Sequence, residues 1–189
     1  MQIITRNLTQ LSGLWITLIL ALFTTTPALV AAKSATEIDI GVSETLNRFR
    51  HEVSGGEKFL SKAAGVLVFP SVIKAGAGIG GEYGEGALLV GGKTVQYYST
   101  AAASIGFQLG AQSKSVVVVF LDTQALEEFR NSEGWKAGVD GSVALIKWGV
   151  GEDINTIDIK DPVVGFVFSN KGLMYNLTLE GSKFNKIDR

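Results

Sequence analysis

The chain has 189 residues, no cysteine, 23 glycines and three prolines, with 17 Lys+Arg against 18 Asp+Glu for a net charge of −1. That length suits one domain with a sizeable core, and the near-zero charge argues against a general nucleic-acid binder, which carries a basic excess. The missing cysteines exclude disulfides, thiolate metal sites, cysteine nucleophiles and a lipidated-cysteine anchor, while an apolar share of 46% excludes a disordered chain.

Residues 1–32 hold a single charge, Arg6, ahead of the apolar run 14–23. About ten residues is short for a membrane span, which needs ~20, and suits the apolar region of a signal peptide. Pro27 breaks the run, and Val30 and Ala32 fit the −3 and −1 positions of a cleavage site. The expectation is a signal peptide over 1–32 and a mature domain over 33–189, periplasmic or secreted. An uncleaved amino-terminal anchor is the competing reading.

Residues 35–53 predict an amphipathic helix. Ile38, Val42, Leu46, Phe49 and Val53 recur at helical spacing. Glu37, Asp39, Glu44, Arg48, Arg50 and His51 occupy the other face, acidic first and basic last, as the helix dipole favours. Ser54 to Glu57 reads as a capping box opening a second, short helix through Phe59, Leu60 and Ala63.

From Gly65 the period becomes that of strands. Residues 66–69 form a short apolar strand stopped by Pro70, the glycine-dense tract 76–86 follows, and Gly91-Gly92 signals a hairpin turn before 93–98. Ile105, Phe107, Leu109 and Ala111 alternate with Ser104, Gly106, Gln108 and Gly110. Residues 116–121 are apolar on both faces, which predicts a central, fully covered strand. Asp122 or Thr123 caps a helix through Arg130. Residues 135–151 read as strands, and 163–168 with 173–179 as a hairpin about Asn170-Lys171-Gly172. The fold expected is a single α+β domain: amino-terminal amphipathic helices, then a glycine-rich, mostly antiparallel, barrel-like β-sheet.

Gly76, Gly78 and Gly81 formally match G-x-G-x-x-G, but no helix opens from the tract and no Gly-Lys-Ser/Thr follows, so a nucleotide site lacks its context. Gly76, Gly78 and Gly80 are spaced by two and share one strand face, with Gly81 beside them. Strand glycine costs roughly 0.5–1 kcal/mol relative to alanine, so several at this spacing predict close backbone approach or a sharply bent sheet. Backbone contact with a ligand is the alternative.

No catalytic constellation is present. His51 is the single histidine, no Gly-x-Ser-x-Gly elbow occurs, and a zinc site would need several His or Cys. Glu82 and Glu85, three apart, read as turn or surface carboxylates, and Asp153, Asp158 and Asp161 lack the EF-hand pattern. Trp135, Trp148, Tyr97 and Tyr98 read as core or interface residues. The expectation is no enzyme, no cofactor, no metal and no nucleic-acid partner.

The block Phe69-Pro70-Ser71-Val72-Ile73-Lys74-Ala75-Gly76-Ala77-Gly78, continuing through Gly80-Gly81-Glu82-Tyr83-Gly84-Glu85-Gly86, closely resembles the signature of the SYLF domain family. Residues 98–112 look like its second block, in the secreted bacterial branch, and the valine run with the following helix like its third. The resemblance covers roughly 40–180 and implies lipid binding. Eukaryotic members bind phosphoinositides and fungal members actin filaments, with an amino-terminal amphipathic helix and nearby lysines in membrane contact. Carried over here, that segment is the helix over 38–53 with Arg48, Arg50, Lys58, Lys62 and Lys74. The signal-like amino terminus, the acidic start of the helix and the lack of an SH3 or FYVE-type module depart from the eukaryotic pattern, so actin is not expected as a native partner.

The expected function is an exported, non-catalytic module that contacts lipid or an anionic membrane surface. An envelope scaffold or stress protein acting through protein contacts is the alternative. Residues 48–74 carry five basic residues against Glu52 and Glu57, whereas 75–189 carry 10 basic and 13 acidic. Each Lys or Arg near an anionic bilayer gains roughly 1 kcal/mol, so net +3 attracts weakly unless apolar insertion adds to it. Against insertion stands the simpler possibility that the helix buries its stripe on the sheet.

Overall fold

The computed structural model describes residues 32–53, 55–145, 161–169, 172–173, 179 and 181–189. Lys33–Arg189 forms one compact α+β unit. Residues 1–31 of the stretch expected as a signal peptide, Ser54, Trp148, Asp153, Asp158 and most of the strand expected over 173–179 lie outside the described residues.

Helix α1 spans Ala35–Glu52. Its N-cap Ser34 makes a full capping box with Glu37, and Arg50 and His51 sit in its last turn. Backbone and side-chain hydrogen bonds from Ser34 hold the exposed Glu37 carboxyl below its ordinary value. Helix α2, Gly56–Lys62, opens differently from the sequence expectation. Its N-cap is Gly55 at φ 77° with no side-chain capping bond, because the chain must reverse sharply from α1 through a left-handed residue that glycine supplies at no steric cost.

Two long strands follow, β1 over Gly65–Val90 and β2 over Lys93–Phe120, joined by Gly91 and Gly92 at φ 58° and 76°. Two consecutive positive φ values are what a type I′ hairpin turn demands. Helix α3, Thr123–Asn131, is capped by the Asp122 carboxylate on Ala125 N–H at 2.9 Å. Among the described residues there follow β3 (Trp135–Lys136), β4 (Ala144–Leu145), β5 (Val163–Ser169), β6 (Gly172–Leu173) and β7 (Lys183–Ile187).

Strand β2 is the spine of the sheet. It pairs antiparallel with β1 from end to end, and its other edge takes β7 along 97–101 and β5 along 115–120. β3 extends the sheet beyond β7, β6 pairs antiparallel with β5, and β4 pairs β5 in parallel. The strand does not stop at Pro70. A register shift between Phe69 and Val72 absorbs the proline as a bulge, and Ser115 Oγ donates to the Pro70 carbonyl at 2.8 Å.

The β1–β2 ribbon curls back on itself into a half-barrel. A Cβ on Gly65 would lie 3.4 Å from the Leu89 carbonyl, one on Gly84 2.8 Å from the Ser71 carbonyl, and those on Gly86 and Gly80 would overlap the carbonyls of Val68 and Ala75. All four pairs straddle 77–78, so the two arms of a single strand face each other. Gly76 and Gly78 pair across the ribbon with Gly110 and Gly106, and a second register shift falls between them. Gly81 has room, its nearest neighbour being Ala102 O at 3.8 Å.

Curling divides the core in two. Leu67, Phe69, Leu88, Val116, Val118 and Phe120 point inside the curl, where α3 supplies Leu126 and Phe129 and the later strands Trp135 and Phe184. Val66, Val68, Ala87, Val117, Val119 and Phe166 point outward, beneath Ile38, Val42, Leu46 and Phe49 of α1 and Phe59 of α2. The valine run is therefore covered on both faces, as its composition predicts.

Within the inner core the Tyr98 hydroxyl is buried with no hydrogen-bond partner among the described residues, and burial pushes its pKa up to about 12. Its ring packs 5.0 Å from that of Phe129. Removing an unsatisfied buried hydroxyl while keeping the ring relieves a desolvation penalty. Tyr98→Phe is expected to stabilise the fold by about 1 kcal/mol in urea unfolding. A comparable loss would show that the hydroxyl is in fact satisfied.

Candidate functional site

The structure separates the expected lipid-contact cations into three settings. On α1, Arg48 is tied to Glu52 by Nε–Oε1 at 3.1 Å and Nη2–Oε2 at 3.2 Å, and its guanidinium lies 5.3 Å from the centre of the Phe168 ring. Arg50 bridges to Glu57 of α2 at 3.1 Å and to Asn47 Oδ1 at 3.1 Å. These exposed pairs are worth little individually. Lys58 and Lys62 are exposed on α2, with no ion-pair partner among the described residues.

Lys74 belongs elsewhere. It alternates with Val72 on the inner face of β1, and its Nζ lies 3.8 Å from Glu82 Oε1. The other oxygen of Glu82 takes Lys114 Nζ at 2.5 Å, and Lys114 is buried. Glu82, read from sequence as a surface carboxylate, thus anchors two lysines inside the bend of the curl.

A cleft of about 300 Å³ opens between α1, α2 and the β1–β2 turn. Leu46, Leu60, Ala63, Val66 and Leu89 make its apolar walls, with Arg50, Ser61 and the Gly91-Gly92 backbone at its polar edges. Lys58 and Lys62 are exposed on the helix that supplies Leu60 and Ser61 to this lining. The apolar stripe of α1 does not contribute an insertable face: Ile38, Val42, Phe49 and Val53 are each 2% exposed or less.

Glu85, the other carboxylate read as surface, is 4% exposed and lies on the outer face of β1. Its Oε1 accepts from the Tyr83 hydroxyl at 2.8 Å and Arg189 Nη2 at 2.6 Å, and its Oε2 accepts from the Lys33 backbone N–H at 2.9 Å. Burial works to raise its pKa, but the three donors and the Arg189 charge outweigh it and hold the carboxyl below its ordinary value. A carboxylate with a depressed folded pKa adds stability above its unfolded pKa, which is lost as pH falls through the folded value. Tyr83 is shifted the other way, by burial first and then by its bond to Glu85.

Sequence reasoning missed this node because its members lie up to 104 residues from Glu85. It also missed Asp39, which accepts from Thr94 Oγ1 and the Tyr97 hydroxyl, each at 2.9 Å, and so pins α1 to the start of β2. The single hint in the sequence is that Asp39 falls one position from the buried Ile38 on the helix.

His51 is exposed on the last turn of α1. Among the described residues, no group of three or more His, Cys, Asp or Glu could hold a metal, and no helix is long and apolar enough to cross a membrane.

A family model described as "Ysc84: Las17-binding protein actin regulator" matches residues 101–188, which run from the middle of β2 through α3 to the end of β7. No curated protein matches the chain. The match covers the second and third sequence blocks, and the Phe69–Gly86 block lies just before it on the strand to which β2 is paired. From the far part of β2 through α3 to the closing strands, the α+β half-barrel thus matches the model of the Ysc84 family, the SYLF family that the glycine-dense block resembles.

Proposed function

We propose that the protein is an exported, non-catalytic module that contacts anionic lipid through the α1–α2 end of the domain. The observation that carries this reading is the cleft of about 300 Å³ with apolar walls and Arg50 at its edge, lined in part by the helix that exposes Lys58 and Lys62. Such a site offers an acyl chain or glycerol backbone an apolar wall and its phosphate the Arg50 guanidinium at the cleft's edge. The family match over 101–188 supports a binding module, and lipid contact is what the SYLF resemblance implies. The family description also names Las17 and actin. An exported domain would meet neither, so lipid is the partner that fits both the resemblance and the site.

The mode differs from insertion of an amphipathic helix. With the α1 stripe packed on the sheet, attraction rests on the charged face. Arg48, Arg50, Lys58 and Lys62 each supply roughly 1 kcal/mol at an anionic surface, and Lys74 is occupied by Glu82 inside the curl.

Co-sedimentation with phosphatidylglycerol vesicles tests the proposal. The full chain is expected to bind at low salt, to release as salt rises, and to bind neutral vesicles poorly. Lys58→Glu with Lys62→Glu should weaken binding by at least ~30-fold, from roughly 1 kcal/mol lost per lysine plus repulsion, whereas Lys74→Gln should leave it nearly unchanged. Equal binding to neutral and anionic vesicles, or indifference to the double reversal, would overturn this reading.

A further inference from the structure

The Glu85 node contains one partner that is out of character. Arg189 and Tyr83 are side chains suited to a buried carboxylate, but the third donor is a backbone amide, that of Lys33, reaching Oε2 at 2.9 Å from 52 residues away. Lys33 immediately precedes Ser34, the N-cap of α1, so its nitrogen is held in place by the helix itself. A neutral amide offers one hydrogen and no net charge. An α-ammonium at the same nitrogen would offer three hydrogens and a full positive charge to an oxygen that Arg189 leaves free, since Arg189 bonds Oε1. The residues before it, Val30-Ala31-Ala32, are those the sequence marks as a cleavage site.

We propose that the chain is cleaved between Ala32 and Lys33 and that the new α-ammonium of Lys33 seats on Glu85 Oε2, locking the processed amino terminus to β1 and, through the same carboxylate, to Arg189. Cleavage by an endopeptidase of the export machinery adds one water across the amide. Ala32 departs with the carboxylate, and Lys33 keeps the nitrogen, which takes up a proton. The carboxylate is already ionised and in place before the cut, so the socket needs no rearrangement. Processing replaces a neutral amide donor on this carboxylate by a charged one, turning the hydrogen bond into a partly buried ion pair, and the folded domain becomes more stable once its leader is gone. The ionisable groups around this nitrogen are Glu85, Tyr83 and Arg189, with Glu37 close by in the capping box with Ser34. Glu85 favours the charged amine and Arg189 opposes it.

The proposal rests on export, which the first measurement tests separately. The full chain is expressed in a Gram-negative host, the product recovered from the envelope fraction, and its amino terminus read by mass spectrometry. A mature chain beginning at Lys33 is expected, and any other start overturns the proposal. The α-amine of that product is then titrated by NMR after labelling. Its pKa, ordinarily ~7.7–8.0, should stand about one unit higher in the wild type than in Glu85→Gln. Arg189→Gln, which keeps Glu85 and removes the opposing charge, should move it further up, so the test survives if the Glu85 variant folds poorly. A start at Lys33 with an α-amine indifferent to both substitutions would leave processing standing and sink the socket.

Discussion

Replacing Gly86 by alanine is expected to destabilise the domain by about 3 kcal/mol or more, lowering the thermal midpoint by roughly 6–12 °C. The added Cβ would overlap the Val68 carbonyl and lie 2.8 Å from Phe69 Cδ1. Neither side can yield cheaply. Val68 is fixed in the ladder opposite Val117, and Gly86 opposite Tyr98. Gly81→Ala is the control within the same tract. Its Cβ meets nothing nearer than Ala102 O at 3.8 Å, and the change narrows the unfolded ensemble, so an effect within ~1 kcal/mol, of stabilising sign, is expected. Urea midpoints of the two variants decide the matter. Equal losses at both positions would mean that the glycines do not serve the close approach of the two arms.

That contrast shows what a sequence can and cannot reveal about such a tract. Spacing by two places Gly76, Gly78 and Gly80 on one face and predicts close packing. It does not tell which backbone comes close, because the approaching chain is the other arm of the same strand. Gly84 and Gly86, which also meet carbonyls of the other arm, sit beyond the motif that draws the eye. The same limit explains Pro70. A proline after a short apolar run reads as a stop, and only the partner strand, with Ser115 bonding the Pro70 carbonyl, turns it into a bulge.

Features carried by local periodicity were fully legible. The stripe of α1, the two-faced valine run and the double-glycine turn each follow from a few adjacent side chains. Features carried by pairing across the fold were not. Glu82, Glu85 and Lys74 look like solvated charges because their charged or backbone partners lie on the other arm of β1, on β2, ahead of α1 or beyond β7. For the candidate site, the sequence supplied the basic cluster, and the structure divided it. Arg48, Arg50, Lys58 and Lys62 remain at the α1–α2 end, and Lys74 leaves for the interior.

Phe49→Ala is expected to cost about 3–5 kcal/mol and to separate two ways in which this domain could meet a membrane. Phe49 is fully buried, 4.8 Å edge-on to Phe166 and 6.3 Å from Phe168, and Phe166 in turn takes Phe59 of α2 at 5.0 Å. It is the central contact of the stripe that fastens α1 to the outer face of the sheet. Burying Ile38, Val42, Leu46, Phe49 and Val53 contributes about 1.5–3 kcal/mol each, on the order of 10 kcal/mol in all. Moving the stripe from the sheet into a bilayer regains the apolar transfer but forfeits the packing and exposes the outer faces of β1, β2 and β5, so the balance favours the docked helix. Phe49→Ala lowers the cost of undocking. If the stripe inserted, anionic vesicle binding by the variant would rise in step with its loss of stability. If lipid is met by the charged face and the cleft beside α2, the variant, assayed below its lowered midpoint, should bind vesicles within about twofold of the wild type while Lys58→Glu with Lys62→Glu abolishes binding in both backgrounds.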